Sequence, residues 1–136
     1  MRVKKISHIG VAVPDIDEYL GFFEDVLGLE MTGTEVVTDQ KVKVAFLTVG
    51  ESRIELLEPT AEDSPVAKYL AAGEGKPRVH HVALEVDDLE RAIEECRDKG
   101  VRLIDEQPRI GAGGVRIAFV HPKASAGVLT ELCEEH

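Results

Sequence analysis

The chain has 136 residues, 43% apolar and only 4% aromatic. It is long enough for one compact domain, and its core must rest on Val, Ile, Leu and Ala. The formal net charge of −10 argues against nucleic acid or anionic lipid as a partner, and no segment approaches the roughly 20 apolar residues of a membrane helix.

The amino terminus enters a strand pattern at once, with no signal-type apolar core, so a cytoplasmic location is expected. That first strand spans Lys5–Val13. Pro14-Asp15 stops it and offers a helix cap. Ile16, Leu20, Phe23 and Leu27 then fall at helical spacing, and Gly28 ends the helix. Strand-like runs follow at Leu29–Val37, Lys41–Val49 and Arg53–Leu57. In the join, Ser64 and Pro65 predict a short helix over Pro65–Ala71, and residues 73–77 read as a loop. The order then repeats. A strand at Arg78–Val86 leads to a cap at Asp87-Asp88. A helix carrying Leu89, Ile93 and Cys96 ends at Gly100. Runs at Val101–Ile104, Gly114–Val120 and Val128–Cys133 close the chain. Both halves read βαβββ, about 1–60 and 78–136 around a linker at 61–77, within one domain over 1–136. Such a duplication predicts packing in pseudo-twofold symmetry.

The repeat carries chemistry. ISHIGVAV and VHHVALEV place His8 and His81 in register, 73 residues apart. Side chains alternate along a strand. Ile9, Val11 and Val13 form one bulky face, with His8, Gly10 and Ala12 opposite. Val82, Leu84 and Val86 form the matching face, with His81, Ala83 and Glu85 opposite. Both histidines therefore point away from the helix layer, beside small neighbours. The last strand of each half repeats the pattern with Glu55 and Glu131, each on the face opposite its bulky residues. Buried carboxylates are costly unless partnered. The set His8, Glu55, His81 and Glu131 carries charge −2 and offers imidazole and carboxylate donors, which suits a divalent cation. His80 faces away from His81, His121 precedes Pro122 and His136 is terminal, so none of these three is expected to ligate. Cys96 and Cys133 lack metal-type spacing and read as buried thiols.

A duplicated βαβββ unit with one His and one Glu per half resembles the vicinal oxygen chelate superfamily. Its members include glyoxalase I, extradiol dioxygenases, fosfomycin-resistance proteins and methylmalonyl-CoA epimerases. The stretches HIGVAVPDIDEYLGFFEDVLGLE, ELLEPTAEDSPVAKYL, VHHVALEVDDLERAIEECRDKGVRLIDEQPRIGAGG and FVHPKASAGVLTEL are most similar to the epimerases. The linker and the carboxyl-terminal motif are the specific parts. The resemblance implies an α+β vicinal oxygen chelate fold, with a cupped mixed sheet around one divalent metal ion. It also implies interconversion of 2R and 2S methylmalonyl-CoA, an acyl-CoA substrate. Four protein ligands plus two open positions for vicinal oxygens make six, which favours Co2+ over a closed zinc site, with Mn2+, Zn2+ or Ni2+ as the other candidates.

Some of those epimerases carry glutamate at the position of Val44 and glutamine where Glu55 stands. Valine cannot move a proton, so Glu55 and Glu131 are expected to act both as ligands and as the two bases. Lys123, Arg116 and Lys76 are candidates for the coenzyme A tail. Gly111–Gly114 lacks the Lys-Ser/Thr of a phosphate loop and reads as a turn. The alternatives are a glyoxalase I-type lactoylglutathione lyase, which also uses two His and two Glu, and a metal-free small-molecule-binding protein of the same fold. An extradiol dioxygenase, with two His and one carboxylate, is disfavoured by the fourth donor. A homodimer is expected, because open sheet edges need cover.

Overall fold

The structure, a computed structural model, describes residues 1–135. Its strands are β1 (Val3–Ala12), β2 (Glu30–Val37), β3 (Val42–Val49), β4 (Ser52–Pro59), β5 (Arg78–Val86), β6 (Arg109–Ile110), β7 (Arg116–Val120) and β8 (Thr130–Glu134). The α-helices are α1 (Ile16–Gly21), α2 (Pro65–Ala72) and α3 (Leu89–Asp98). Among the described residues, no helix is long and apolar enough to cross a membrane. Two compact units result. One joins Met1–His8 to the chain from His81 onward, and the other is Ile9–His80. Strand β1 thus contributes its first half to one unit and its second half to the other.

In the Ile9–His80 unit the strand order is β2-β3-β4-β1. The hairpins β2–β3 and β3–β4 are antiparallel, and the second sets Ala45 opposite Leu56 and Phe46 opposite Glu55. Val11 and Val13 pack with Ile16, Leu20 and Phe23 of the following helical segment, as alternation predicts. The Asp15 carboxylate caps α1 by accepting from Asp17 N at 3.1 Å. The helix does not continue regularly to Leu27. Phe22–Val26 winds into a wider turn, with Leu27 N donating to Phe22 O at 3.0 Å. The extra residue in that turn breaks the 3.6 spacing. Leu27 is left half-exposed, and Leu29 joins the core instead. Ser64 caps α2 by accepting from Val66 N at 3.2 Å, and the helix runs one residue past the expected end.

In the other unit the order is β1-β5-β8-β7-β6. Strands β5 and β8 are parallel, and β7 is antiparallel to β8 and to β6. Leu84 and Val86 pack against Leu89, Ile93 and Cys96 of α3, together with Ala118 and Leu132. The opposite face packs Ala83, Ile117, Phe119 and Cys133 with Leu129. The expected strand at Val101–Ile104 is a single bridge, Leu103 to Val120. Pairing stops there because the Asp105 carboxylate takes the Phe119 N–H at 2.8 Å, a donor a longer ladder would use. The run expected from Gly114 begins at Arg116, after a turn with Gly113 at φ +75°. The run expected from Val128 begins at Thr130, because the hydroxyls of Ser125 (2.6 Å) and Thr130 (3.1 Å) both donate to the Val128 carbonyl. The two-residue β6 was not foreseen.

Candidate metal centre

Strand pairing builds the site. Asp87 N donates to Arg2 O at 3.2 Å, and Lys4 pairs with Glu85 at 3.5 Å. Residues 2 and 4 therefore meet 87 and 85, so β1 and β5 run in opposite directions. The same register sets His8 across from His81. Their rings meet edge to face with centroids 5.2 Å apart and an interplanar angle of 89°. Strand β8 lies on the other side of β5 and sets Glu131 beside Ala83, while β7 sets Phe119 on its far side. A small residue at 83 leaves room for the Glu131 carboxylate to reach His81, two positions earlier on the same face. Phe119 closes that side, edge to face with His81 at 5.6 Å.

The donor atoms converge. His8 Nε2 lies 3.1 Å from His81 Nε2 and 3.4 Å from Glu131 Oε2, and His81 Nε2 lies 3.6 Å from Glu131 Oε1. All three residues are buried. Ligand atoms about 2.1 Å from one ion stand about 3.0 Å apart at a right angle and about 3.4 Å apart at the tetrahedral angle. Two of the observed separations fall in that range, and the third, His81 to Glu131 at 3.6 Å, lies just beyond it. Two imidazoles and a carboxylate are also the donors that borderline divalent ions prefer. The residues present therefore fit a divalent metal ion. The Ser7 hydroxyl, fully buried, lies 3.0 Å from His8 Nδ1. A strand-alternation argument does not find it, because Ser7 precedes His8 and nominally faces the other way.

Glu55 lies in the Ile9–His80 unit, buried on β4, on the same face as Leu57 and opposite Phe46. Its Oε2 accepts from Arg53 Nε at 3.2 Å and Arg53 Nη2 at 3.1 Å. That partner was missed from sequence, although it sits two residues away on the same face. Val44, which stands where some relatives were expected to carry a base, is buried and pairs with Leu57. Arg116 is held by Glu90 and by Glu134, the latter at 3.1 Å, and Lys76 pairs with Glu74 at 3.3 Å. Lys123 is exposed in the turn after His121, whose Nδ1 accepts from Lys123 N. His80 packs edge to face on Tyr69; burial, then the charge of Arg78, lowers its pKa to about 4. His121 is also lowered, first by desolvation. His136 lies outside the described residues. Burial pushes the Cys133 thiol up to about 12, and both cysteines are free and buried.

Residues 7–119 match the family described as the glyoxalase/bleomycin resistance protein/dioxygenase superfamily. The chain is 35% identical to an ethylmalonyl-CoA/methylmalonyl-CoA epimerase of Cereibacter sphaeroides, covering 96% of this chain and 97% of that protein. It is 36% identical to the mitochondrial methylmalonyl-CoA epimerase of Bos taurus, covering 94% of this chain and 73% of that one. Among solved structures, a single-residue variant of the Streptomyces coelicolor methylmalonyl-CoA epimerase, in complex with 2-nitronate-propionyl-CoA, superposes with a TM-score of 0.92. The identity there is 41%, over 98% of this chain and 96% of that chain. With an α+β architecture of eight strands and three α-helices among the described residues and matches of this extent, the chain belongs to the glyoxalase/bleomycin resistance protein/dioxygenase superfamily, in its methylmalonyl-CoA epimerase branch.

Proposed function

We propose that this protein is a metal-dependent epimerase that interconverts 2R and 2S methylmalonyl-CoA. The observation that carries the reading is the convergence of His8, His81 and Glu131 in a chain whose near full-length relatives are named for that reaction. The proton on C2 lies between a thioester and a carboxylate, so its removal leaves an enolate-type anion. A divalent ion held by His8, His81 and Glu131 supplies, when bound, electrostatic stabilisation of that developing charge. Cobalt heads the candidates.

The chain's own groups do the proton work. Glu131 removes the C2 proton from one face of the substrate and returns it in the reverse direction. The second base of this reading is Glu55, the repeat counterpart of Glu131 in the sequence. The apolar shell of Ala83, Ile117, Phe119 and Leu129 keeps bulk water from the Glu131 side, where it would reprotonate without facial control. Of the cations assigned to the coenzyme A tail, we retain Lys123, since two carboxylates already engage Arg116. Strand β2 stands at one end of its strand order, and a second copy of the chain would cover that edge. A homodimer is the expected state, to be read by sedimentation velocity.

The test is turnover of methylmalonyl-CoA by purified protein, by chelator-treated protein and after adding Co2+. Activity should vanish with the chelator and return with cobalt. Inactivity under all three conditions, with turnover of the methylglyoxal–glutathione hemithioacetal instead, replaces this reading with a lactoylglutathione lyase. Solvent-deuterium washout from each substrate epimer, in Glu55→Gln and Glu131→Gln proteins, assigns each base to its face. Washout that persists from both epimers in both variants removes the two-glutamate scheme.

A further inference from the structure

The edge of the second unit places a cation on the face that carries the metal centre. Arg109 of β6 pairs with Ile117 of β7, and Phe119 of β7 pairs with Glu131 of β8. Cross-strand partners share a face. Arg109 therefore stands on the side of the sheet that holds Ile117, Phe119 and Glu131. Arg116 is turned to the other side, where Glu90 of α3 and Glu134 hold it. Arg109 Nε lies 3.2 Å from Asp105 Oδ1, and the other oxygen of that carboxylate takes the Phe119 N–H at 2.8 Å. One carboxylate thus ties the guanidinium to the neighbouring strand. The guanidinium carbon lies 5.5 Å from the centre of the Phe119 ring, within cation–π range. The turn that follows is tight: a Cβ at Gly111 would stand 2.8 Å from Ile117 Cδ1, and Gly111 N donates to Val115 O at 2.8 Å. Among the described residues, these contacts leave the two Nη groups of Arg109 for a ligand, on a side chain 42% exposed. Strand β6 is two strands from β8, about 10 Å at ordinary spacing. The lean of Arg109 over Phe119, the residue across from Glu131, shortens that gap.

We propose that Arg109 is a specificity-determining residue whose two Nη groups bind the carboxylate of a malonyl-type acyl group. This rests on the acyl-CoA reading above and names the part of the substrate that is recognised. A planar guanidinium meets a carboxylate with two parallel N–H···O bonds. In such a thioester a single carbon separates the carboxylate from the thioester carbon, so the carboxylate lies at the reacting centre. The CoA phosphates lie a whole pantetheine arm away, so a cation on the His81–Glu131 side suits the acyl end. The net charge of −10 and the nearby Glu131 oppose a second anion, and Arg109 offsets that repulsion locally.

The experiment is titration calorimetry on full-length protein supplied with Co2+, using malonyl-CoA and acetyl-CoA. The two share the CoA tail and differ by the carboxylate. Malonyl-CoA has no stereocentre at C2, so no net epimerisation accompanies binding. Wild type should bind malonyl-CoA more tightly. Arg109→Met, which keeps an apolar stem over Phe119, should weaken malonyl-CoA about tenfold and leave acetyl-CoA within about twofold. Arg109→Lys, which keeps the charge without the fork, should show a smaller loss, again confined to malonyl-CoA. An unchanged preference in Arg109→Met overturns the proposal. Equal weakening of both ligands does so too, since it moves Arg109 to the CoA tail or to a structural role. If Arg109→Met does not fold, Arg109→Lys decides by the same comparison. The two readings fail separately. Wild type that binds neither thioester sinks the acyl-CoA reading and this one with it. Wild type that turns over methylmalonyl-CoA, with the preference intact in Arg109→Met, sinks this one alone.

Discussion

Ala83 determines where the Glu131 carboxylate can lie. It sits beside Glu131 in the parallel β5–β8 register and is fully buried. A larger side chain would fill the space between His81 and Glu131 and overpack the shell, destabilising by about 1–3 kcal/mol. Ala83→Leu should therefore weaken cobalt binding by at least tenfold with an unchanged far-UV spectrum, read by titration calorimetry. His81→Ala should abolish that binding, while His80→Ala leaves it in place, because His80 packs on Tyr69. The choice between these adjacent histidines was legible in the sequence, since alternation alone separates their faces. The convergence of His8, His81 and Glu131 was legible for the same reason, reinforced by the repeat. Ser7 was not: its hydroxyl reaches its own neighbour's ring, a contact set by side-chain torsion rather than by periodicity. Arg53 was legible at two residues from Glu55 but was overlooked in favour of the repeat partner.

Among the elements, α3 and the wide turn that follows α1 lead into Gly28 and Gly100, both at φ +71° with open space where a Cβ would stand. A substitution there meets no neighbour, so its effect is conformational. Gly28→Ala and Gly100→Ala should each cost about 1–2 kcal/mol, read as urea midpoint shifts at constant slope. Strand β1 is tied down at its start by the Asp87 carboxylate, which accepts from Arg2 N at 3.1 Å. That bond, first among several, holds the Asp87 pKa below its ordinary value of 3.8. The native state thus binds fewer protons at this site than the unfolded chain. The stabilisation is complete above the ordinary value and is lost as pH falls through the lower native one. Exchange protection of the Arg2 amide should fall across that acid range and be absent in Asp87→Ala at neutral pH. Caps and glycine stops made helix starts and ends readable. The wide turn at Phe22–Val26 and the broken pairing after Leu103 were not, because one depends on a single inserted residue and the other on a carboxylate substituting for backbone.

At the scale of the whole molecule, the duplication was the most legible feature, since histidines, glutamates and helix-ending glycines recur at similar offsets of 73, 76 and 72 residues. The boundaries of the compact units were not legible. Repeats follow the order of the sequence, whereas compact units follow strand pairing, and β1 pairs in both. A ligand that binds only the folded chain stabilises it by mass action. Cobalt at a hundredfold excess over its Kd should add about 2.7 kcal/mol, and a chelator should remove that increment. Paired calorimetric melts with and without chelator are the check. An unchanged midpoint would show that no such ion is bound.

The division of β1 also sets a timetable for biosynthesis. Residues 1–8 leave the ribosome long before the segment they pair with, which comes only after position 80. At about 5–20 residues per second, the opening strand waits roughly 4–15 s for β5. During that interval Val3 and Ile6 sit on a nascent edge with nothing to zip against, and Arg2, Lys4 and Lys5 are the charges that discourage another chain from docking there first.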